Sequence, residues 1–295
     1  MHEIISSFRE NMFLNGIKAP QILHASGKIE RFYMEGDKSG TKNGWYILFA
    51  DDFPNGVYGH WKTGVTHTWS MKSKKKMTHY ERSCYASQMK AVIQHREQLR
   101  MSAQKNVAQL ATVCFHFYKT AKQNHPYLIK KRISPFCARQ FEQTLVLPIM
   151  DINGSLHSLQ FISPEGKKTF LQGGAIKGHF IPVHGKASEN KQILICEGFA
   201  TGASLAAMFP DACIIAACNA GNLKSVALNM RTAFPKARVL ICADCDFVGL
   251  SKAREAAIAS GSLFCHPTFP EEYENTLKDF NDYYCLMLRK GVFHV

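Results

Sequence analysis

The chain has 295 residues, of which 46% are hydrophobic and 20% charged, the balance of a soluble globular protein, so disorder is excluded as its main state. No apolar run approaches the roughly 20 residues that a bilayer crossing needs, and the N-terminus lacks a basic stretch followed by an apolar core. Net charge is +13 and unevenly spread: residues 1–190 hold 26 basic and 13 acidic residues, residues 191–295 ten of each. A basic module joined to a neutral one points to a polyanion gripped by one part and worked on by the other; a basic surface kept for solubility is the alternative. The expected location is the cytoplasm, with no membrane partner. The length suggests two domains or three small ones.

Residues 1–76 read as an N-terminal β-rich region. Short apolar runs at Ile29–Tyr33, Gly44–Phe49 and Gly56–Trp61 are separated by Gly, Asn, Asp and Pro, the pattern of short antiparallel strands. Trp45, Tyr46, Tyr58 and Trp61 either form the core of that sheet or stack on unpaired bases. Lys72 and Lys74–Lys76 make a basic run. Residues 77–125 are a helical connector, because Met77 to Asn124 contains no Gly or Pro.

Residues 126–190 form a basic segment. Strand-like Thr144–Ile149 and Ser155–Ile162 flank Asp151-Ile152-Asn153-Gly154, and Asn-Gly between two such runs is a hairpin signal. With the stretch around Phe180-Ile181, this block reads as a small sheet. From residue 191 the rhythm changes. Strands at 192–196, 212–217, 238–243 and 262–265 alternate with helices at 200–208, 223–234, 250–260 and 279–289. Apolar strands alternating with helices imply a parallel sheet covered on both faces.

In such a sheet, function gathers at the carboxyl ends of the strands. One strand ends in Cys196-Glu197-Gly198, another in Ala243-Asp244-Cys245-Asp246. Asp244 and Asp246 are two apart and would point the same way on an extended chain. Clustered carboxylates repel one another unless a divalent cation lies between them, and oxygen ligands suit magnesium. The plainer reading is that these acids only cap the helices that follow. Ten cysteines are scattered and several lie in apolar runs, so they read as free thiols; Cys242-x-x-Cys245 is one pair without a second, and no zinc is expected.

Residues 191–295 resemble a Toprim domain, the metal-binding module of bacterial primases, topoisomerases and some nucleases. The likeness rests on the strand ending in Glu197-Gly198 and the later Asp244-x-Asp246. The string Ile193 to Leu205, with Asn219-Ala220-Gly221-Asn222-Leu223 and Asp279-Phe280-Asn281-Asp282, is closer still to primases of plasmids and phages. Upstream, His125 to Ile133 resembles the segment that opens a primase catalytic core. Leu147 to Gly154 with Leu159 to Ile162 resembles its hairpin, and Gly166 to Gly174 its basic strand. Gly44-Trp45-Tyr46 and Gly59 to Gly64 are similar to the N-terminal part of that group.

Three departures stand out. The first cysteine is Cys84, so the N-terminal zinc ribbon of replicative primases is not expected. Arg132 stands where the pattern has Gly, which bears on the backbone geometry there. The chain stops soon after the Toprim-like region, whereas many relatives continue into a helicase, so a replicative helicase partner is expected to act in trans.

The resemblance implies a fold and a function. The fold is α/β: a C-terminal Toprim domain, its parallel sheet flanked by helices, preceded by a small α+β primase-core subdomain and the β-rich region. The function is that of a DNA primase of a mobile element, making short RNA primers on single-stranded DNA from nucleoside triphosphates with Mg2+ or Mn2+. Glu197, Asp244 and Asp246 would be catalytic and hold the metal, with Asp279 as a further ligand or simply the cap of the last helix. Asp282 is an alternative to Asp279. Lys130, Lys131, Lys167, Lys168, Asn219 and Asn222 would contact nucleic acid or nucleotide. A Toprim nuclease would use the same acids with water as the attacking group, and a non-catalytic single-strand-binding accessory protein would have lost catalysis. Topoisomerase is disfavoured, because no large DNA gate or tyrosine-bearing domain fits in the 190 residues of short elements that come first.

Overall fold

The structure, a computed structural model, describes residues 1–51, 53–61, 63–72, 77–273 and 276–293. The basic run Lys74–Lys76 and Lys62 lie outside the described residues. The chain divides into two compact units, 1–98 and 99–295.

The first unit opens with helix α1 (His2–Leu14), where strands are expected from the composition. Ile4, Phe8 and Met12 recur every fourth residue, which puts them on one helical face, and Phe8 and Met12 are fully buried. Four antiparallel strands follow in sequential order: β1 (Glu30–Phe32), β2 (Gly44–Phe49), β3 (Asn55–His60) and β4 (Thr66–Ser70). The Phe8 ring packs edge-on against Tyr58 and Trp69, each at 5.4 Å between centroids. Trp45, Tyr46 and Tyr58 are buried, so they are core residues and not a stacking surface. Trp61 is half-buried, with the Arg96 guanidinium 5.1 Å from its ring.

Helix α2 (His79–Phe117) contributes to both units and ends seven residues before Asn124. Its last carbonyls are taken by the Arg139 guanidinium, which donates to Phe115 O, to His116 O at 3.0 Å and to Tyr118 O at 3.2 Å. A cation on the orphan carbonyls of a helix end satisfies them and the helix dipole together.

In the second unit, β5 (Lys119–Thr120) leads to the short helix α3 (Pro126–Lys131). Buried His125 caps α3: its Nδ1 accepts from the Tyr127 N–H at 3.2 Å, and Pro126 occupies the first helical position. Arg132 ends α3 in the left-handed conformation, φ 53° and ψ 44°. An antiparallel sheet runs β5, β6 (Arg139–Phe141), β7 (Thr144–Met150), β8 (Leu156–Ile162) and β9 (Lys168–Phe170). The Asn153-Gly154 turn joins β7 to β8 as the sequence predicts, with Gly154 at φ 81°.

The segment around Phe180-Ile181 departs from expectation. It forms β10 (Ile181–His184), which pairs antiparallel with β12 (Cys213–Ala216) and so joins the C-terminal sheet. Only a single bridge, Phe180 to Met150, ties it to the hairpin. The unpaired edge of β12 offers the longer ladder, and that decides its place. The remaining strands are β11 (Gln192–Cys196), β13 (Arg238–Cys242) and β14 (Leu263–Cys265). The sheet order is β10-β12-β11-β13-β14, parallel except for β10.

Helix α4 (Phe199–Met208) follows β11, α5 (Leu223–Ala233) follows β12, α6 (Phe247–Ser260) follows β13, and α7 (Phe280–Arg289) closes the unit. Both faces of the central strands are buried. Leu194, Cys196, Ile214 and Cys242 join α4 and the hairpin residues Leu145, Leu147 and Ile149 in one core, while Ile193, Ile195, Ile215 and Ile241 join α5 and α6 in the other. Doubly buried strands explain why these runs are apolar without alternation. All ten cysteines are free thiols.

Candidate active site

The carboxyl ends of β11 and β13 lie side by side, Cys196 paired with Cys242. Glu197 follows the first and Asp244 the second, so register alone brings the two acids to one edge. Asp279 arrives through a backbone link: the Cys245 N–H donates to Lys278 O at 2.6 Å, which lays the start of α7 beside the Asp244 loop. Asp246 caps α6, its Oδ1 accepting from the Gly249 N–H at 2.7 Å. Asp279 caps α7 in the same way, accepting from the Asp282 N–H at 2.8 Å, and Asp282 accepts from the Lys278 N–H at 2.9 Å. The capping roles are therefore real, and they fix two of the acids in place.

These groups act on one another. Burial pushes the Asp244 carboxyl up to about 7, and the charges of Asp279, Glu197 and Asp246 push the same way. Glu197 is raised, first by burial; the Lys168 ammonium and the nearby Ala220 N–H oppose the shift. Asp279 is raised by burial, against the pull of the Asp282 N–H and of Lys131. Asp244 Oδ1 is buried and, among the described residues, has no hydrogen-bond partner. A carboxylate oxygen left this way is costly unless something else satisfies it.

Among the described residues, no group of three His, Cys, Asp or Glu side chains stands ready-made to hold a metal ion. The donor set nevertheless fits a hard divalent cation: it is all carboxylate oxygen, crowded enough to raise its own proton affinity, with one buried lone pair unspent. Glu197 and Asp244 are the groups such an ion would meet, with Asp246 and Asp279 beside them.

The predicted binding residues divide. Lys168, at the start of β9, reaches the site: its Nζ lies 3.2 Å from where a Cβ on Gly198 would stand, and its charge stabilises both Glu197 and Asp244 as anions. Lys131 acts on Asp279. Lys130 is exposed on α3, and Lys167 is exposed on the turn before β9. Asn219 is exposed at the head of the loop after β12. Asn222 differs from expectation. It is 3% exposed and its amide is spent on backbone, accepting from the Gly178 N–H and donating to Ile176 O, His179 O and Ala217 O. It holds loops together and does not face a ligand.

Two residues of the site escape the sequence reading. A Cβ on Gly249 would stand 2.7 Å from Asp244 O and 3.2 Å from Asp246 Oδ1, so only glycine lets α6 begin this close to both acids. The signal was available in the spacing Asp244-x-Asp246-x-x-Gly249. Asn281 is 1% exposed and donates to Lys131 O at 2.7 Å and Ser204 Oγ at 2.9 Å, tying α7 to α3 and α4.

Fold and acid edge together define the class of module: residues 192–290 match the Toprim domain family, and the C-terminal region is a Toprim domain. Over most of its length the chain is similar to two Escherichia coli proteins, each named DNA primase TraC. It is 29% identical to one, covering 85% of this chain and 18% of that protein. It is 28% identical to the other, covering 85% of this chain and 26% of that protein. The chain thus spans about a fifth to a quarter of the length of these relatives. Among solved structures it is similar to the primase fragment of the bacteriophage T7 primase-helicase protein, at 15% identity and TM-score 0.44, over 60% of this chain and 80% of that one. It is also similar to a DnaG primase catalytic domain bound to ssDNA, at 13% identity and TM-score 0.44, over 65% of this chain and 77% of that one.

Proposed function

We propose that this chain is the catalytic part of a DNA primase, joining nucleoside triphosphates into short RNA primers on single-stranded DNA for a plasmid or phage. The observation that carries the reading is the unspent Asp244 carboxylate at the Glu197 edge of a Toprim sheet, in a chain similar to proteins named DNA primase TraC. Phosphoryl transfer asks for positioning and for neutralisation of developing negative charge. A divalent ion, magnesium or manganese, bound by Glu197, Asp244 and Asp246, with Asp279 adjacent, would supply Lewis acidity to the attacking hydroxyl and the departing pyrophosphate.

The chain's own residues do the rest. Glu197 and Asp244 give the negative edge, and Lys168 beside Gly198 favours their ionised forms and offers a cation to a phosphate oxygen. Lys131 does the same at Asp279. Lys130, Lys167 and exposed Asn219 would lie along the template or triphosphate. The basic segment 126–190 grips the polyanion and 191–295 does the chemistry. Among the described residues no helix is long and apolar enough to cross a membrane.

The test is primer synthesis on single-stranded DNA with labelled triphosphates and Mg2+, comparing wild type with Asp244→Ala. Short products from wild type alone are expected. Template degradation that Asp244→Ala stops would replace this reading with a nuclease. Tight single-strand binding without any product would replace it with an accessory role.

A further inference from the structure

We propose that helix α2 pairs with α2 of a second copy of this chain, along an exposed apolar stripe, as a parallel two-stranded coiled coil over residues 99–117. The stripe is Leu99, Ala103, Asn106, Leu110, Val113 and Phe117, spaced by four and three in strict alternation. Leu99 is 46% exposed, Leu110 54%, Val113 56% and Phe117 81%, and Ala103 and Asn106 are exposed as well. Alternation of four and three repeats every seven residues, which is the seam of a coiled coil.

The packing of α2 within its own unit leaves this stripe unused. Ala111 and Phe115 are buried against Val146 and Leu159 of the β7–β8 hairpin, with Cys114 and Tyr118 beside them. At 3.6 residues per turn, that packed face and the stripe are centred about 120° apart on the helix. Lys105, Gln109 and His116, all exposed, fill the remaining side. A helix that lies on a core needs one apolar face. This one carries a second, and its seven-residue repeat suits another helix.

Charge, area and one amide make that helix another α2. The chain carries +13, yet none of the six stripe residues is charged, so two copies meet there without setting like charges face to face. Covering the six removes about 500 Å² from each copy, about 1,000 Å² in all, the size of a weak specific interface. Asn106 is the one polar residue of the seam. In a parallel pair it meets its own copy, and the two amides hydrogen-bond to each other. In an antiparallel pair it would meet Ala103, Leu110 or Phe117 and be buried without a partner, which is costly. A single polar seam position of this kind fixes register and orientation at some expense of affinity.

The test is sedimentation velocity on the full chain, freed of nucleic acid and held at about 0.5 M salt, so that no bridging polyanion joins two basic molecules. Wild type is expected to form a dimer with a dissociation constant in the micromolar range. Asn106→Leu should lower that constant at least about tenfold, because an apolar pair replaces a buried amide pair. Leu110→Lys and Phe117→Lys should each raise it at least about tenfold, by setting two ammonium groups against each other in the seam. Both positions are exposed in the single chain, so thermal midpoints at submicromolar concentration are expected to stay near wild type. Should Leu110→Lys fail to fold, Phe117→Lys carries the test. Wild type that stays monomeric to about 100 μM overturns the proposal, as does a dimer that the Lys variants form equally well. A dimer that Asn106→Leu weakens or leaves unchanged overturns the parallel pairing.

Discussion

The ammonium of Lys168 stands 3.2 Å from the point that a Cβ on Gly198 would occupy, one residue after Glu197. A strand of the antiparallel sheet thus delivers a cation to the acid edge of the parallel one, and the absence of a side chain at Gly198 makes room for it. Lys168 lowers the proton affinity of both Glu197 and Asp244. Replacing it with the near-isosteric Met should raise both, so Asp244 would ionise above its present value of about 7. The acid limb of Mg2+ binding and of primer synthesis is expected to move by about one pH unit toward alkaline pH. A pH profile of Lys168→Met checks this, and an unmoved limb would show that the cation acts on substrate alone.

Asp244 also shapes stability. Its folded-state proton affinity is raised, so ionisation is disfavoured by folding, and the metal-free protein loses stability as pH rises from about 4, the unfolded carboxyl value, through about 7. Asp244→Asn removes that penalty. The residue is only partly exposed, and solvent screening there discounts the effect to about 1–2 kcal/mol, or about 4 °C in thermal midpoint at pH 8. The same variant should no longer be stabilised by Mg2+. Thermal melts with Mg2+ and with chelator decide it, and a destabilised Asp244→Asn would contradict it.

Arg132 occupies the left-handed region at φ 53°, where a Cβ crowds the following carbonyl. Arg132→Gly relieves that crowding at the cost of a more flexible unfolded chain, and a net gain of about 0.5–1 kcal/mol is expected. Arg132→Ala keeps the Cβ and should give no such gain. Urea midpoints of the two variants distinguish a conformational effect from the loss of a charge.

His179 is held below its ordinary proton affinity, first by burial and then by the neighbouring His157, with Asp151 pulling the other way. A histidine depressed in the folded state contributes stability that is present above about 6.5 and lost as pH falls below that value. His179→Phe keeps a ring against His157 and removes the titration. Between pH 6.5 and 5 the wild type should therefore lose more stability than the variant, read from denaturation midpoints across pH. Equal acid sensitivity would assign the loss to other groups.

Much of this molecule is legible in its amino-acid order alone. Strands buried on both faces must be continuously apolar, so Gln192–Cys196 and Arg238–Cys242 announce a parallel sheet, and acids directly after them announce its working edge. Asn153-Gly154 announces a hairpin because that pair accepts the backbone signs of a tight turn. Local chemistry decides all of these.

What tertiary structure decided is everything that depends on partners far along the chain. Helix α1 was hidden because two buried residues in a polar stretch make a weak signal until a sheet is there to receive Phe8 and Met12. Strand β10 could pair with the hairpin or with β12, and only the competition between two edges settles that. Asn222 in a glycine-containing loop reads equally as a ligand contact or a clamp; the backbone groups of residues 176–179, more than 40 positions away, make it a clamp. Asp279 likewise joins Asp244 through a single backbone bond from Cys245 to Lys278. Sequence determines which groups carry charge and which elements form, because those follow from neighbours a few residues apart. Distance between remote groups is set by packing, and so only the folded chain decides which acids share a site and which cation they share it with.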